Sequence, residues 1–206
     1  MNLELFTIGH STHAPEKLLA LLSRHEITAV ADVRSSPYSR YNPQFNKEAL
    51  ERLLRDAKIA YVFLGRELGA RPADLSCYDN GKVRFDLLAQ TGLFQEGLDR
   101  LRKGMHSHRI CLLCAEKDPI SCHRTILVCR NISGPGVTIR HILEDGELED
   151  HEKAGQRLMA VLKVPEYVLF AEPSSQLAKA YDIQAEKIAF VDKGEDAAAE
   201  QGANER

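Results

Sequence analysis

Residues 114–124 read CAEKDPISCHR, which puts two cysteines, a histidine, an arginine and two acids directly behind the apolar run RICLLCA. A thiol becomes a nucleophile or a ligand once it is a thiolate. Asp118-Pro119 is the start signal of a helix, a good N-cap followed by proline at the first helical position. That start places Cys122, His123 and Arg124 in the first turns. There, unpaired backbone N–H groups and the helix dipole favour anions and lower a thiol's pKa. The spacing therefore offers Cys114 or Cys122 as nucleophile, His123 as acid or base, and Arg124 as the fork that holds an anionic group. The competing reading is structural, since free cysteine is among the most buried residue types. Cys111, in the body of the strand, and Cys129, on the helix stripe, belong to the core.

Metal binding is the other chemistry these residue types suggest. Cys114, Cys122, His123 and His10 are thiolate and imidazole donors of the kind that hold a tetrahedral ion. However, eight positions separate Cys114 from Cys122, beyond the spacing of about two to four residues usual in structural zinc sites. Cys111 and Cys114 have the tight spacing, but on a strand their side chains point to opposite faces. From sequence alone we expect neither a metal nor a cofactor.

A second polar stretch is ADVRSSPYSRYNPQF, residues 31–45. Asp32 and Arg34 are two apart, so on a strand they share a face. Asp32 then orients a partner or accepts a proton, and Arg34 binds phosphate or carboxylate through its fork. Alternatively the two form a clamp that fixes the loop, because a buried ion pair needs its groups fully used. Arg40 lies among Tyr38, Tyr41 and Phe45; interleaved cations and rings suit a nucleotide or single-stranded nucleic acid, and equally a loop packed on its own rings. His10 and Ser11 follow Gly9, which lets backbone approach a ligand closely, although Ser11 and Thr12 also read as helix caps. Arg66, in GRELGAR, is a further cation or simply a surface charge.

The elements that must position these groups alternate between apolar runs and helix-period segments, as in a parallel sheet wrapped by helices. LELFTIG, TAVADVR, IAYVFLG, RICLLCA and VTIRHIL read as five strands, the fourth central because it is apolar on both parities. The expected fold is a three-layer α/β/α domain over residues 1–163 with a mostly parallel sheet of about five strands. Between the strands fall PEKLLALLSRHE; a helix opened by Asn46 as N-cap with a Phe45–Leu50 staple and the stripe Leu50, Leu53, Leu54, Ala57; a stretch from about 86 to 103 with Thr91 on its stripe and a break at Gly92; a helix from Asp118 to about Asn131; and, after an Asp145-Gly146 turn, one from His151 to Leu162. Residues 164–206 read as an extension. YVLF and KIAFV there are candidate edge strands or a homo-oligomer contact, and GEDAAAEQGANER is a solvated tail. Each polar motif follows a strand, His141 in the fifth included, so the loops meet in the crevice beyond the strand ends.

The chain has 206 residues and a formal net charge of -3, which argues against a protein coated with nucleic acid over its whole surface. Four arginines gathered at the crest of an acidic chain point to an anionic ligand. No stretch approaches the ~20 apolar residues of a membrane span, no cationic, apolar leader opens the chain, and five cysteines without one fit a reducing cytoplasm. TIGHST, ADVRSSPYSRYNPQF, YVFLGRELG, CAEKDPISCHR and RHILEDGE together resemble the DUF 488 family of small bacterial and archaeal domains. The resemblance spans about residues 3–147. It implies a compact α/β domain whose shared polar residues correspond to His10, Ser11, Asp32, Arg34, Cys114, Cys122, His123 and Arg124, and it supplies no reaction. The reading that follows is a cytoplasmic hydrolase or transferase for a phosphate-bearing small molecule or nucleotide. Its rivals are a non-catalytic nucleotide or nucleic-acid binding module, and a redox sensor in which Cys114 and Cys122 join.

Overall fold

The computed structural model describes residues 2–165 and 173–192. Within them lie eight strands: β1 (Leu3–Gly9), β2 (Ala29–Asp32), β3 (Ala60–Phe63), the short pair β4 (Tyr78–Asp79) and β5 (Lys82–Val83), β6 (Ile110–Cys114), β7 (Val137–Ile142) and β8 (Leu148–Asp150). Six form the main sheet in the order β3-β2-β6-β1-β7-β8. Its first five are parallel, and β8 returns antiparallel along β7. The apolar run predicted to be central is so: β6 lies between β2 and β1, and all five of its residues are buried. The hairpin into β8 was not legible as a strand, because LED is short and half polar; Gly146, at φ +87°, makes its turn.

Helices α1 (Pro15–Arg24) and α2 (Lys47–Asp56) cover one face of the sheet. Leu18, Leu22, Leu50 and Leu54 pack there on Phe6, Ile8, Val30, Cys111 and Leu113. The other face carries α3 (Gly65–Leu68), α4 (Phe85–Leu88), α5 (Gly92–Met105), the segment from 119 to 132 that ends in α6 (Arg130–Ile132), α7 (His151–Leu162) and α8 (Pro173–Ile188). Leu98, Leu101, Leu127, Leu158 and Tyr181 pack there on Leu5, Ala31 and Leu112. Alternate residues of each strand serve opposite cores, which is the three-layer α/β/α arrangement expected. No helix among the described residues is long and apolar enough to cross a membrane.

Several local readings need correction. Asn46 stands at the N-cap of α2, yet its side chain caps nothing; it accepts the Ser39 N–H at 2.8 Å and so pins the preceding loop. Phe45 and Leu50 are both fully buried in one cluster, as the staple requires, but Ala57 is exposed beyond the helix end. The stretch from 86 to 103 is two helices, as the expected break at Gly92 implies, but Thr91 is not on an apolar stripe: its hydroxyl accepts the Phe94 N–H and opens α5. Asp118 caps as expected, accepting the Ile120 N–H at 3.2 Å. What it opens is a 3₁₀ turn over Pro119–Ser121, then extended backbone at Cys122, then a π-helical stretch over Arg124–Cys129. π turns are rare and concentrate at functional sites.

Residues beyond 163 enter the same core. Ala180 and Tyr181 of α8 are buried in it, and Gln184 donates to the Ile120 carbonyl at 2.9 Å. KIAFV is not a strand: α8 runs through Ile188, and Val191 alone makes a bridge, to Lys82. YVLF and the tail GEDAAAEQGANER lie outside the described residues. A polar chain crosses this core, from Thr7 to His141 (2.8 Å), His141 to His151 (3.1 Å) and His151 to the Tyr181 hydroxyl (3.2 Å). His141, placed at the crest by its position in β7, is fully buried within that chain.

Candidate active site

A cleft of ≈ 320 Å³ opens beyond the carboxyl ends of β2 and β6, the position where parallel α/β sheets take their ligands. Arg34, Ser35 and Tyr38 line it from the loop after β2, Arg71 from the loop after α3, and Cys114, Glu116 and His123 from the β6 side. Ile188 and Phe190, at the end of α8, complete the wall. Arg71 lies over the Phe190 ring, 4.5 Å from its centre.

Arg34 is held from behind. Its Nε and Nη2 donate to the two oxygens of Asp32 at 2.9 and 2.6 Å, and Nη1 donates to His10 Nε2 at 3.2 Å. Asp32 also accepts from the Tyr61 hydroxyl at 3.0 Å. Arg34, Asp32 and His10 are buried and Tyr61 half-buried, and of the four Arg34 alone lines the cleft. The tautomer of His10 follows: Nε2 accepts from Arg34, so Nδ1 carries the hydrogen and gives it to the Ser11 carbonyl at 2.9 Å. Burial first, and then the Arg34 charge, push the His10 pKa down to about 4, so the ring is neutral. Ser11 itself has φ 46°, which turns the chain sharply and lets its N–H reach the Ala115 carbonyl.

The second cluster is built by the loop after β6. Both thiols, Cys114 and Cys122, lie 3.0 Å from one oxygen of Glu116, and Cys114 lies 3.5 Å from His123 Nδ1. The far nitrogen of His123 faces the Val33 carbonyl at 2.9 Å, and a carbonyl only accepts, so that nitrogen carries its hydrogen. Arg124 locks the loop. It is fully buried, donating to the carbonyls of Glu116 (2.6 Å) and Lys117 (3.1 Å) and, at 3.3 Å, to the Thr7 hydroxyl. Gly9 makes room for this: a Cβ there would lie 1.8 Å from the Glu116 carbonyl oxygen. Any side chain at residue 9 displaces the loop that carries Glu116.

The two sulfurs are not equivalent. Burial alone would raise the Cys122 thiol. The Cys114 hydrogen bond, the Arg124 charge and His123 outweigh it and hold Cys122 well below the ordinary thiol value. The Arg124 amide adds a donor at 3.4 Å. Cys114 moves the other way, pushed up by burial and by its bond to Cys122, and burial likewise raises Glu116. Cys122 is thus the sulfur that ionises more readily, and Cys114 the one that holds its proton longer. Of the two, Cys114 lines the cleft.

Of the residues expected from sequence, the structure gathers Arg34, Tyr38, Cys114 and His123 around the cleft. Cys122 and Arg124 lie just behind its floor, His10 and Asp32 behind Arg34, and Ser11 at the adjoining turn. Arg40 and Arg66 are exposed and line no part of it. Two residues escaped sequence reasoning. Glu116 stands in CAEKDPISCHR two residues after Cys114, a spacing that puts both on one side of an extended chain. Arg71, the last residue of GRELGAR, carried no signal beyond its charge.

A family profile described as "Domain of unknown function DUF488" matches residues 14–130. No curated protein and no solved structure matches the chain.

Proposed function

From a chain that belongs to the DUF488 family, more than half of it matched, we propose an enzyme that hydrolyses or transfers a group of a small phosphate-bearing molecule or nucleotide. The observation that carries the reading is the cleft itself, whose lining brings two arginines, Arg34 and Arg71, together with Cys114 and His123. Arginine forks match phosphate oxygens, and a thiol beside an imidazole with a free ring nitrogen is a nucleophile with a proton acceptor at hand. Cys114 is the attacking sulfur, since it faces the cleft, and the free ring nitrogen of His123, 3.5 Å away, takes its proton. Asp32 and His10 are positioning residues, acting through Arg34. Arg124 acts through the loop rather than on the ligand, because it is fully buried, lines no part of the cleft and donates to protein oxygens. The ring of Tyr38, 54% exposed, supplies a stacking face for a base. Five free thiols fit a reducing, cytoplasmic setting.

Arg71→Ala is the direct test. Arg71 is exposed, so the melting temperature should hardly move. Loss of a charge-assisted bond should weaken pyrophosphate or nucleotide binding roughly 10- to 100-fold. Calorimetric titration of both proteins decides it: binding equal in the two, or absent in the unaltered protein, removes the anion site.

A second reading, a thiol switch, rests on the two sulfurs lying within 4.8 Å of each other. Mild peroxide should then produce a species lighter by two hydrogens, with the link mapped to Cys114 and Cys122. An unchanged mass rules the switch out.

A further inference from the structure

Four electron-pair donors converge at the floor of the cleft. Cys114 Sγ, Cys122 Sγ, His123 Nδ1 and a carboxylate oxygen of Glu116 all lie within 4.8 Å of one another. We propose that these four groups bind one divalent ion of the zinc class in a four-coordinate site of two thiolates, one imidazole and one carboxylate.

The geometry is close to what such an ion needs. Metal–ligand bonds of about 2.0–2.3 Å in a tetrahedron put neighbouring donors roughly 3.3–3.8 Å apart. The separations here are 3.0 Å from each sulfur to Glu116 and 3.5 Å from Cys114 to His123. Adjustments well within side-chain freedom complete the tetrahedron. The eight-residue separation that argued against zinc in the sequence is cancelled in space, because the 3₁₀ turn at Pro119–Ser121 folds Cys122 back over Cys114. His10, the fourth donor the sequence suggested, is committed to Arg34 and Ser11; Glu116 takes that place.

Three further features fit an ion. His123 is oriented as metal-bound histidines are, with one nitrogen tied to the Val33 carbonyl and the other left for the cluster. The chain carrying the donors is fixed beforehand: Arg124 holds the Glu116 and Lys117 carbonyls, while the amides of His10 and Ser11 hold those of Cys114 and Ala115. Finally, once both thiols ionise, two thiolates and a carboxylate repel one another, and the Arg124 guanidinium directs its donors away to protein oxygens. A divalent cation balances that charge. On binding, the thiol protons leave to solvent, and no change of oxidation state is involved.

Metal binding does not depend on the anion reading, so the two fail separately. It does govern it: with both sulfurs on the ion, the thiol chemistry proposed above belongs to the metal-free chain.

The experiment is a Co²⁺ titration of the full chain, stripped by chelator under reducing conditions, followed by displacement with Zn²⁺. One equivalent should produce sulfur-to-cobalt charge-transfer bands and the visible bands of tetrahedral cobalt, and Zn²⁺ should erase both. Cys122→Ser and His123→Ala should lose the charge-transfer signal or weaken binding at least 10-fold. Glu116→Gln, an exposed position that leaves the core intact, should keep the sulfur bands with weaker affinity. Cys111→Ala, a buried cysteine outside the cluster, should leave the titration unchanged. Absence of sulfur–cobalt bands in the unaltered chain, or their persistence at full strength in both Cys122→Ser and His123→Ala, overturns the proposal, and pyrophosphate binding still reports on the anion site.

Discussion

Arg124→Met should cost the protein about 3–5 kcal/mol of stability, the usual loss when a buried charged network is broken from one side. Arg124 is the bulkiest fully buried side chain among the described residues. Methionine fills much of its volume, so the change tests the guanidinium rather than a cavity. Without it the carbonyls of Glu116 and Lys117 lose their donors, at about 1.5–3 kcal/mol for each hydrogen bond to a charged group. The Thr7 hydroxyl loses its contact as well. The loop that aims Glu116 at the two sulfurs is then released. Urea unfolding of the two proteins measures the difference, and Arg124→Lys should recover little, since one ammonium on a flexible stem cannot replace a rigid fork. A loss below about 1 kcal/mol would leave Arg124 no structural role of this size.

Acid should unfold the protein between about pH 6.5 and pH 4. Burial, aided at His10 by the Arg34 charge, pushes the pKa of His10 and of His151 down to about 4, and His141 lies well below its ordinary value for the same reason. In the unfolded chain these rings titrate near 6.5. Through that window the unfolded state takes up protons that the folded state refuses, so stability is full above it and falls as the pH falls. His10 and His151 each contribute on the order of 3 kcal/mol of that loss by pH 4, together comparable with the whole stability of an ordinary domain, about 5–15 kcal/mol. His123 works in the opposite sense. Burial disfavours its charge, but Cys122 and Glu116 outweigh burial and raise its pKa, so it adds stability at low pH that is lost as the pH rises. The three neutral histidines outnumber it. Urea midpoints measured from pH 7.5 to 4.5 should drop steeply, and His151→Gln should flatten the slope. Midpoints that stay level through this range would contradict the burial of neutral rings.

Much of this architecture was legible in the residues. Continuous apolar runs announced buried parallel strands, and the polar motif after each announced where a ligand would sit. Asp32 and Arg34 were known to share a face from their spacing alone. The direction of a buried side chain was not legible. Arg124 reads as an anion fork until the fold turns it inward onto its own loop. His141 follows the pattern of a crest residue until β7 faces it toward α7. Sequence separation also misled, because the distance from Cys114 to Cys122 along the chain says nothing of a 3₁₀ turn that brings them together. The helix α8 went unseen because its apolar residues are sparse, and its burial depends on partners far away in the chain.

The wall formed by Ile188 and Phe190 has a consequence for how such a molecule diversifies. The thiols, Glu116, His123, Arg34 and Arg71 all fall inside the stretch that defines the family, whereas this wall is supplied by a later one. The groups proposed to react and the residues that wall the cleft thus lie on different lengths of polypeptide. A chimaera that exchanged only the C-terminal portion would keep these side chains and change the wall beside them, and it would also replace the Gln184 bond to the Ile120 carbonyl.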